Sequence, residues 1–216
     1  MKLYSVDLSP FAARVRTLVY AKRLDLPCVA PPGGVGSDEY RRVNPTGKVP
    51  ALLLDDGSVL PESTVICEYL EDRFPEPALR PADAEGRAWM RVICQLADLY
   101  VWPPLHALFP HVDPAQRDAK AVAAAFAELA PRYDQLAAFL RPAPYAVGAS
   151  LTIADCALAP FFFFATRVHP MLGDKDPVAG RPALAAWWDA VRRHDAVARV
   201  EGELARALAA ELAGRA

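Results

Sequence analysis

Residues 2–16 read KLYSVDLSPFAARVR, in which an alternating stretch ends at Asp7 and apolar residues then recur at helical spacing. This pattern predicts a short strand followed by an amphipathic helix. The Ser9-Pro10 pair marks the start of the helix, because serine is a preferred N-cap and proline is favoured at the first helical position. Residues 26–30 predict a second strand, so the order begins as βαβ.

A β-hairpin and another helix are predicted next. Two apolar runs, at 51–54 and 59–60, flank the Asp-Gly pair at 56–57. Such a pair supplies the positive φ that a tight hairpin turn requires. An amphipathic helix then starts at Ser63 and stops before Phe74, which a proline follows. The first part of the chain is therefore βαβ, a connection, and ββα.

The second half of the sequence differs in character. From about residue 84 onward Ala, Leu and Arg dominate, and no strand pattern remains. The periodicity predicts helices near 84–109, 114–140, 152–168, 182–194 and 197–212, with breaks at Pro110, 142–144, 170–177 and 194–195. We therefore expect an α/β region followed by an all-α region, with the boundary between about residues 75 and 84.

Composition excludes several classes of protein. With 53% hydrophobic and 23% charged residues, the chain can bury a real core. The net charge is −2 and the Lys and Arg residues are scattered, so no nucleic-acid partner is expected. No apolar run reaches the ~20 residues that cross a bilayer, and the first residues lack a signal peptide's apolar core. We expect a cytoplasmic protein with no membrane partner.

The four cysteines, at positions 28, 67, 94 and 156, are widely spaced and form no Cys-x-x-Cys pair. This spacing indicates neither a zinc site nor a disulfide framework. We therefore expect no metal and free, buried thiols.

Ser9 is a candidate catalytic residue. The structural interpretation is that it only caps the helix. The functional interpretation is that a hydroxyl at a helix N-terminus donates a hydrogen bond to a bound thiolate, whose pKa the helix dipole lowers. A thiolate is the better nucleophile at neutral pH. Ser5, at the end of the first strand, is a rival hydroxyl, whereas strand alternation places Tyr4 on the opposite face.

Two further motifs predict a site for an extended peptide. Within NPTGKVP at 44–50, the Val49-Pro50 bond is a candidate cis peptide whose turn would expose the Val49 backbone for strand-like pairing. At the helix start that follows, free backbone N–H groups attract a ligand carboxylate, and Glu62 suits an ammonium on the same ligand. The structural alternative is that Ser63 is the helix N-cap and Glu62 a solvated charge.

Taken together, residues 9–16, 44–50 and 61–63 resemble the glutathione-site motifs of the cytosolic glutathione transferases, and the resemblance covers essentially the whole chain. It points to bacterial, serine-type members of the theta- and zeta-like classes. It implies a thioredoxin-like glutathione-binding domain over 1–76. It also implies an all-helical domain over 84–216 that contributes the electrophile site, and a homodimer.

The resemblance also implies roles for individual residues. Ser9 resembles the catalytic serine of this family. Val49 resembles the residue before the cis proline that pairs with the cysteinyl backbone of glutathione, while Glu62 and Ser63 resemble the pair that holds its γ-glutamyl end. The implied glutathione-binding set is Phe11, Lys48, Val49, Pro50, Glu62 and Ser63. Glutathione is then a co-substrate, and no metal takes part.

The expected second substrate is a small hydrophobic electrophile. Trp102, His106 and Phe109, with the four Phe at 161–164, offer aromatic surface for it, although a helical core explains the same residues. Arg167 stands where zeta-class members have an arginine that meets an acidic substrate, but it also suits a surface charge. The zeta-class Ser-Ser-Cys run is missing. This absence counts against maleylacetoacetate-type isomerisation, which is kept as an alternative together with dehalogenation and non-catalytic glutathione binding.

Thr152 and Asp155 lie at capping-box spacing ahead of an apolar run. The segment is similar to the N-capping segment in the helical domain of this family. We therefore predict a folding role for both residues.

Overall fold

A computed structural model describes residues 1–140, 144–174 and 176–214. The chain forms two compact units. Unit 1 comprises Met1–Leu79 together with the stretch that begins at His194, and unit 2 comprises Arg80–Arg193. The predicted chain break at Pro142 lies outside the described residues.

Unit 1 is built on a four-stranded mixed sheet. Its strands are β1 (Lys2–Tyr4), β2 (Cys28–Val29), β3 (Ala51–Leu53) and β4 (Val59–Pro61), in the order β2-β1-β3-β4. β1 pairs in parallel with β2 and antiparallel with β3, and β3 pairs antiparallel with β4. Its first helices are α1 (Pro10–Ala21), α2 (Asp38–Val43) and α3 (Ser63–Arg73). The βαβ…ββα arrangement is thus the thioredoxin-like one that the sequence predicts.

Local sequence features explain where these elements begin and turn. The Ser9 side chain caps α1 by accepting a hydrogen bond from the Ala12 N–H, with Pro10 at the first helical position. Gly57 has φ of 86° in the β3–β4 turn, where an L-residue would be strained. Tyr4 is buried on the sheet and its ring meets Tyr40 edge-on at 5.5 Å, so it belongs to the core.

A buried ion pair joins the end of α1 to α3 in unit 1. Lys22 Nζ lies 2.7 Å from Glu71 Oε2, and both side chains are fully buried. Lys22 also donates to the carbonyls of Phe74 and Pro77, while Glu71 accepts from the Leu79 N–H. These bonds hold the chain that leaves α3 against α1, which is why the compact unit extends to residue 79.

The last helix, α9 (Asp195–Ala213), packs in unit 1. Glu203 joins it to α1, because its carboxylate accepts from Arg16 Nε at 3.0 Å and from the Tyr20 hydroxyl at 2.8 Å. Burial and Glu203 together raise the pKa of Tyr20 to about 12, so this phenol stays a donor. The sequence predicts that this last helix belongs to the helical domain over 84–216. In the structure it belongs to unit 1, because it is bonded to α1.

The main elements of unit 2 in its described part are helices. Its helices are α4 (Ala84–Leu96), α5 (Trp102–Ala107), α6 (Ala119–Phe139), α7 (Ile153–Met171) and α8 (Pro182–Val191). A π-helical turn at Ala97–Val101 joins α4 to α5, and short 3₁₀ turns occupy Phe109–Val112 and Pro114–Gln116. The single helix predicted near 84–109 is thus interrupted, because Pro103 and Pro104 cannot donate the backbone bonds that continue an α-helix.

Helix α7 forms the centre of unit 2. All four phenylalanines at 161–164 are buried, so the run serves the core. Asp155 near its N-terminus is fully buried and accepts hydrogen bonds from the Thr152 and Ala146 N–H groups, the Thr152 hydroxyl and the Trp187 indole. The predicted break after residue 168 comes three residues later than expected. Across the described ranges, no helix is long and apolar enough to cross a membrane.

Candidate functional site

A cavity of about 130 Å³ in unit 1 is the candidate site. It is lined by Phe11, Thr46, Lys48, Val49, Pro50, Glu62 and Ser63. Three separate chain segments therefore meet here, namely the start of α1, the loop before β3 and the start of α3. Every residue that the sequence predicts for glutathione binding lies on this cavity, and Thr46 is the one lining residue that the prediction missed.

Ser9 lies at the N-terminus of α1, two residues before Phe11. It is not one of the described residues that line the cavity. Its Oγ accepts the Ala12 N–H at 3.2 Å, and its own proton is donated to no acceptor within residues 1–140, 144–174 and 176–214. The hydroxyl can thus cap the helix and still donate to a ligand. The rival Ser5 is buried, and its Oγ accepts from Arg16 Nη1 at 2.8 Å.

The loop before β3 offers a free backbone pair at Val49. The Val49-Pro50 peptide bond is cis, as the sequence predicts. Asn44 Nδ2 and the Tyr40 hydroxyl both donate to the Lys48 carbonyl, at 2.9 and 3.0 Å, and so fix the loop. The Val49 N–H and C=O make no hydrogen bond to any residue the structure describes. They are available to a ligand backbone.

The scaffolding roles of Tyr40 and Asn44 were not predicted. Asn44 is the C-cap of α2, and its Oδ1 also accepts the Thr46 N–H at 3.3 Å. An Asn followed by Pro signals a turn, but only the folded loop shows that the side chain reaches the carbonyl of Lys48.

The start of α3 differs from the simple capping interpretation. Glu62, with φ of 69°, occupies the N-cap position and makes no side-chain capping bond, so Ser63 is the first helical residue and not the cap. Ser63 is buried and its Oγ accepts from Arg14 Nη1 at 3.0 Å, while Glu62 is exposed. Backbone N–H groups of a first helical turn have no partner within their helix, so this end favours an anion.

The two charges on the cavity are opposite in sign. Lys48 and Glu62 are both exposed side chains that line it. A ligand with a carboxylate and an ammonium at defined positions complements this pair better than a simple ion does.

Unit 2 carries the predicted aromatic residues as a cluster. The Trp102 ring stacks on Phe161 with centroids 4.7 Å apart, and it also contacts His106 at 5.3 Å and Phe109 at 5.6 Å. Phe161 is buried, whereas His106 is exposed and Trp102 and Phe109 are half-buried. The cluster therefore offers partly accessible aromatic surface.

Arg167 lies further along α7. Its guanidinium is 3.6 Å from the centroid of the Phe163 ring, and its Nη1 donates to the Phe163 carbonyl at 2.8 Å. The side chain is half-buried. Arg167 is thus a cation held in place near the end of the apolar helix α7.

Within the described residues, none of the four cysteines forms a disulfide. Cys67, Cys94 and Cys156 are buried, whereas the prediction of a buried thiol is wrong for Cys28, which is exposed. In the part of the chain that the structure describes, no group of three or more His, Cys, Asp or Glu residues could hold a metal ion.

Two family signatures match the chain. The family described as "Glutathione S-transferase, N-terminal domain" matches residues 3–78, and "Glutathione S-transferase, C-terminal domain" matches residues 96–195. A probable glutathione S-transferase GSTU6 of Oryza sativa subsp. japonica is 30% identical over 203 residues, covering 91% of this chain and 86% of its own.

A partial sequence match and a structural match add to these results. A maleylacetoacetate isomerase of Pseudomonas aeruginosa is 39% identical over 108 residues, which are 48% of this chain and 51% of the isomerase. The chain thus spans about half the length of that relative, and it spans a quarter of another curated one. A glutathione S-transferase of Methylobacterium radiotolerans, solved in complex with glutathione sulfonate, matches with a TM-score of 0.75 and 27% identity, covering 92% of this chain and 93% of its own.

Proposed function

This chain belongs to the glutathione S-transferase family, and on that premise we propose that it activates glutathione as a thiolate and transfers it to a small hydrophobic electrophile. The observation that carries the proposal is the cavity of unit 1, where a free backbone pair, a helix start and two opposite charges surround one space. The related structure with bound glutathione sulfonate supports the same ligand.

Each part of the tripeptide has a complementary group. The Val49 N–H and C=O suit the backbone of its cysteinyl residue. The first turn of α3 with Ser63 suits the α-carboxylate of the γ-glutamyl residue, and Glu62 suits its ammonium. Lys48 suits a second carboxylate. The peptide would thus be held along its whole length.

In the proposed reaction the protein stabilises the thiolate and positions it for attack. The thiol of bound glutathione loses its proton to solvent, and the Ser9 hydroxyl donates a hydrogen bond to the sulfur while the α1 dipole favours its negative charge. The thiolate attacks the electrophilic carbon, forming a carbon–sulfur bond. With an aryl halide, the halide leaves with the bonding electrons. No metal or further cofactor is required for this step.

Calorimetry with glutathione and an S-alkyl analogue tests the site before any assumption about chemistry. We expect Glu62→Gln to weaken glutathione binding about 10-fold, because the amide loses a charge-assisted hydrogen bond to the ligand ammonium. Glu39→Gln, an equally exposed change on α2, is the matched control and should bind normally. Equal affinity of the wild type and Glu62→Gln would remove Glu62 from the site.

We propose the aromatic cluster of unit 2, with Trp102, His106 and Phe109, as the electrophile-binding surface. Trp102→Leu is expected to raise the KM for an aromatic electrophile about 10-fold and to leave glutathione affinity unchanged, since one ring-stacking contact is lost. Trp89→Leu removes another half-buried indole, which contacts Phe139 at 5.9 Å, and serves as the control. A similar KM in both variants would contradict the assignment.

Glutathione-dependent isomerisation is the second candidate. The match to a maleylacetoacetate isomerase favours it, with Arg167 as the cation for an acidic substrate. Steady-state assays on an unsaturated diacid and an aryl halide separate the two reactions. Turnover of the diacid that falls in Arg167→Leu, without turnover of the aryl halide, would replace conjugation by isomerisation.

We further propose that the protein acts as a homodimer in the cytoplasm, where conjugation would detoxify electrophiles. Each unit exposes large apolar side chains, Val65 in unit 1 and Leu99 and Tyr100 in unit 2, and each of these surfaces suits contact with a second copy of the chain. Sedimentation velocity measures the oligomeric state.

A further inference from the structure

Arg14 is a buried cation directly behind the cavity wall. Its side chain is fully buried, with 0% exposure. Its Nη1 lies 3.0 Å from Ser63 Oγ and 2.7 Å from Thr64 Oγ1, so one guanidinium nitrogen contacts both hydroxyls of the first turn of α3. Of these two hydroxyls, only that of Ser63 belongs to a residue lining the cavity.

This contact fixes how the Ser63 hydroxyl can be used. A serine hydroxyl can donate or accept, but a guanidinium can only donate. Toward Arg14 the Ser63 oxygen therefore acts as the acceptor, and its own proton must point elsewhere. No acceptor for that proton is found among the residues described, although Ser63 is only 5% exposed. A buried donor without an acceptor on a cavity wall requires one from whatever fills the cavity.

We propose that Arg14 is a positioning residue that commits the Ser63 hydroxyl to donating into the cavity, and thereby makes the start of α3 select a ligand carboxylate over a carboxamide. The inference rests on the proposed function and deepens it. A carboxylate offers two acceptor oxygens to the Ser63 hydroxyl and the backbone N–H groups. A carboxamide offers one acceptor and turns an N–H toward another donor.

Removing Arg14 should relax this selection. Without the guanidinium, the Ser63 hydroxyl can rotate and accept from the amide, so both ligand forms are satisfied. The predicted effect is thus a change in the ratio of two affinities, which a general loss of packing would not produce.

The test is calorimetry on the full chain with glutathione and with its analogue in which the γ-glutamyl α-carboxylate is a carboxamide. The wild type is expected to prefer glutathione, and Arg14→Met to reduce that preference about 10-fold, the value of one charge-assisted hydrogen bond. Arg14→Lys, which keeps a buried donor, should retain more of it. In a Ser63→Ala background, Arg14→Met should change the ratio no further.

Two results would overturn the inference while leaving the proposed function intact. One is an Arg14→Met protein that loses affinity for both peptides equally. The other is an Arg14→Met protein that keeps the wild-type affinity for each peptide. A wild type that binds neither peptide would instead overturn the proposed function itself.

If circular dichroism shows that Arg14→Met does not fold, Thr64→Val is compared with Ser63→Ala to test whether the bond between Arg14 and Ser63 sets the preference. Thr64→Val removes the Thr64 hydroxyl that Arg14 also contacts and leaves the bond to Ser63, so it should keep the wild-type preference while Ser63→Ala loses it. Equal losses in Thr64→Val and Ser63→Ala would contradict the role of Ser63.

Discussion

Ser9→Ala is expected to lower kcat for conjugation of glutathione with an aryl halide about 100-fold, the cost of removing one donor aimed at a reacting anion. Glutathione affinity should stay nearly intact, because in the proposed binding mode Val49, Glu62 and Ser63 hold the peptide and Ser9 contacts only its sulfur. Ultraviolet titration of the bound thiolate should show a raised pKa for the glutathione thiol in the variant.

Two controls separate the catalytic role of Ser9 from its capping role. Ser9→Ala also removes the bond from the Ala12 N–H, which costs about 1 kcal/mol of stability. Ser9→Gly also lacks the hydroxyl, but glycine is a better N-cap than alanine. It should therefore show the same loss of kcat as Ser9→Ala with a smaller loss of stability. Ser5→Ala should retain a normal thiol pKa. A raised pKa in Ser5→Ala together with a normal one in Ser9→Ala would transfer the role to Ser5.

Asp155→Ala is expected to destabilise the protein by about 4 kcal/mol and to lower the melting temperature by about 10 °C. The carboxylate accepts four hydrogen bonds, from two backbone N–H groups, the Thr152 hydroxyl and the Trp187 indole. Burial raises the pKa of Asp155, and these bonds oppose the rise. Alanine would leave the donors buried without an acceptor.

Denaturant unfolding followed by tryptophan fluorescence measures the loss. Asp155→Asn keeps the shape and one acceptor oxygen, so it should be intermediate between the wild type and alanine. Thr152→Ala removes only one of the four donors and should cost about 1 kcal/mol. A stability of Asp155→Ala equal to that of Thr152→Ala would show that Asp155 does not hold these donors together.

Several features that the sequence did not predict join residues far apart in the chain. The bond between Arg14 and Ser63 spans 49 positions, and that between Arg16 and Glu203 spans 187. Periodicity marks Arg14 and Arg16 only as charges on an apolar helix. Their partners depend on which elements the topology brings beside α1, so a single-sequence pattern does not contain them.

The interruption near residue 97 illustrates a different limit. The pattern from 84 to 109 is continuously helical, and the structure changes from α-helix to a π-helical turn just before Trp102-Pro103-Pro104. The prolines signal a break, but propensity alone does not say that a helix resumes immediately, as α5 does at Trp102.

The sequence by itself determined the features whose causes are local: the α1 start at Ser9-Pro10, the Asp-Gly hairpin, the cis Val49-Pro50 bond and the order of the three cavity segments. Side-chain capping, positive φ and proline geometry act within a few residues, and a sequence displays them directly. Only the tertiary structure decided that α9 packs against α1, that Tyr40 and Asn44 hold the loop before Val49, and that Arg14 lies behind Ser63. The contacts of α1 with α9 and of Arg14 with Ser63 form only once distant segments have come together. The bonds of Tyr40 and Asn44 to Lys48 span only 8 and 4 residues, but they depend on how the loop folds back on α2.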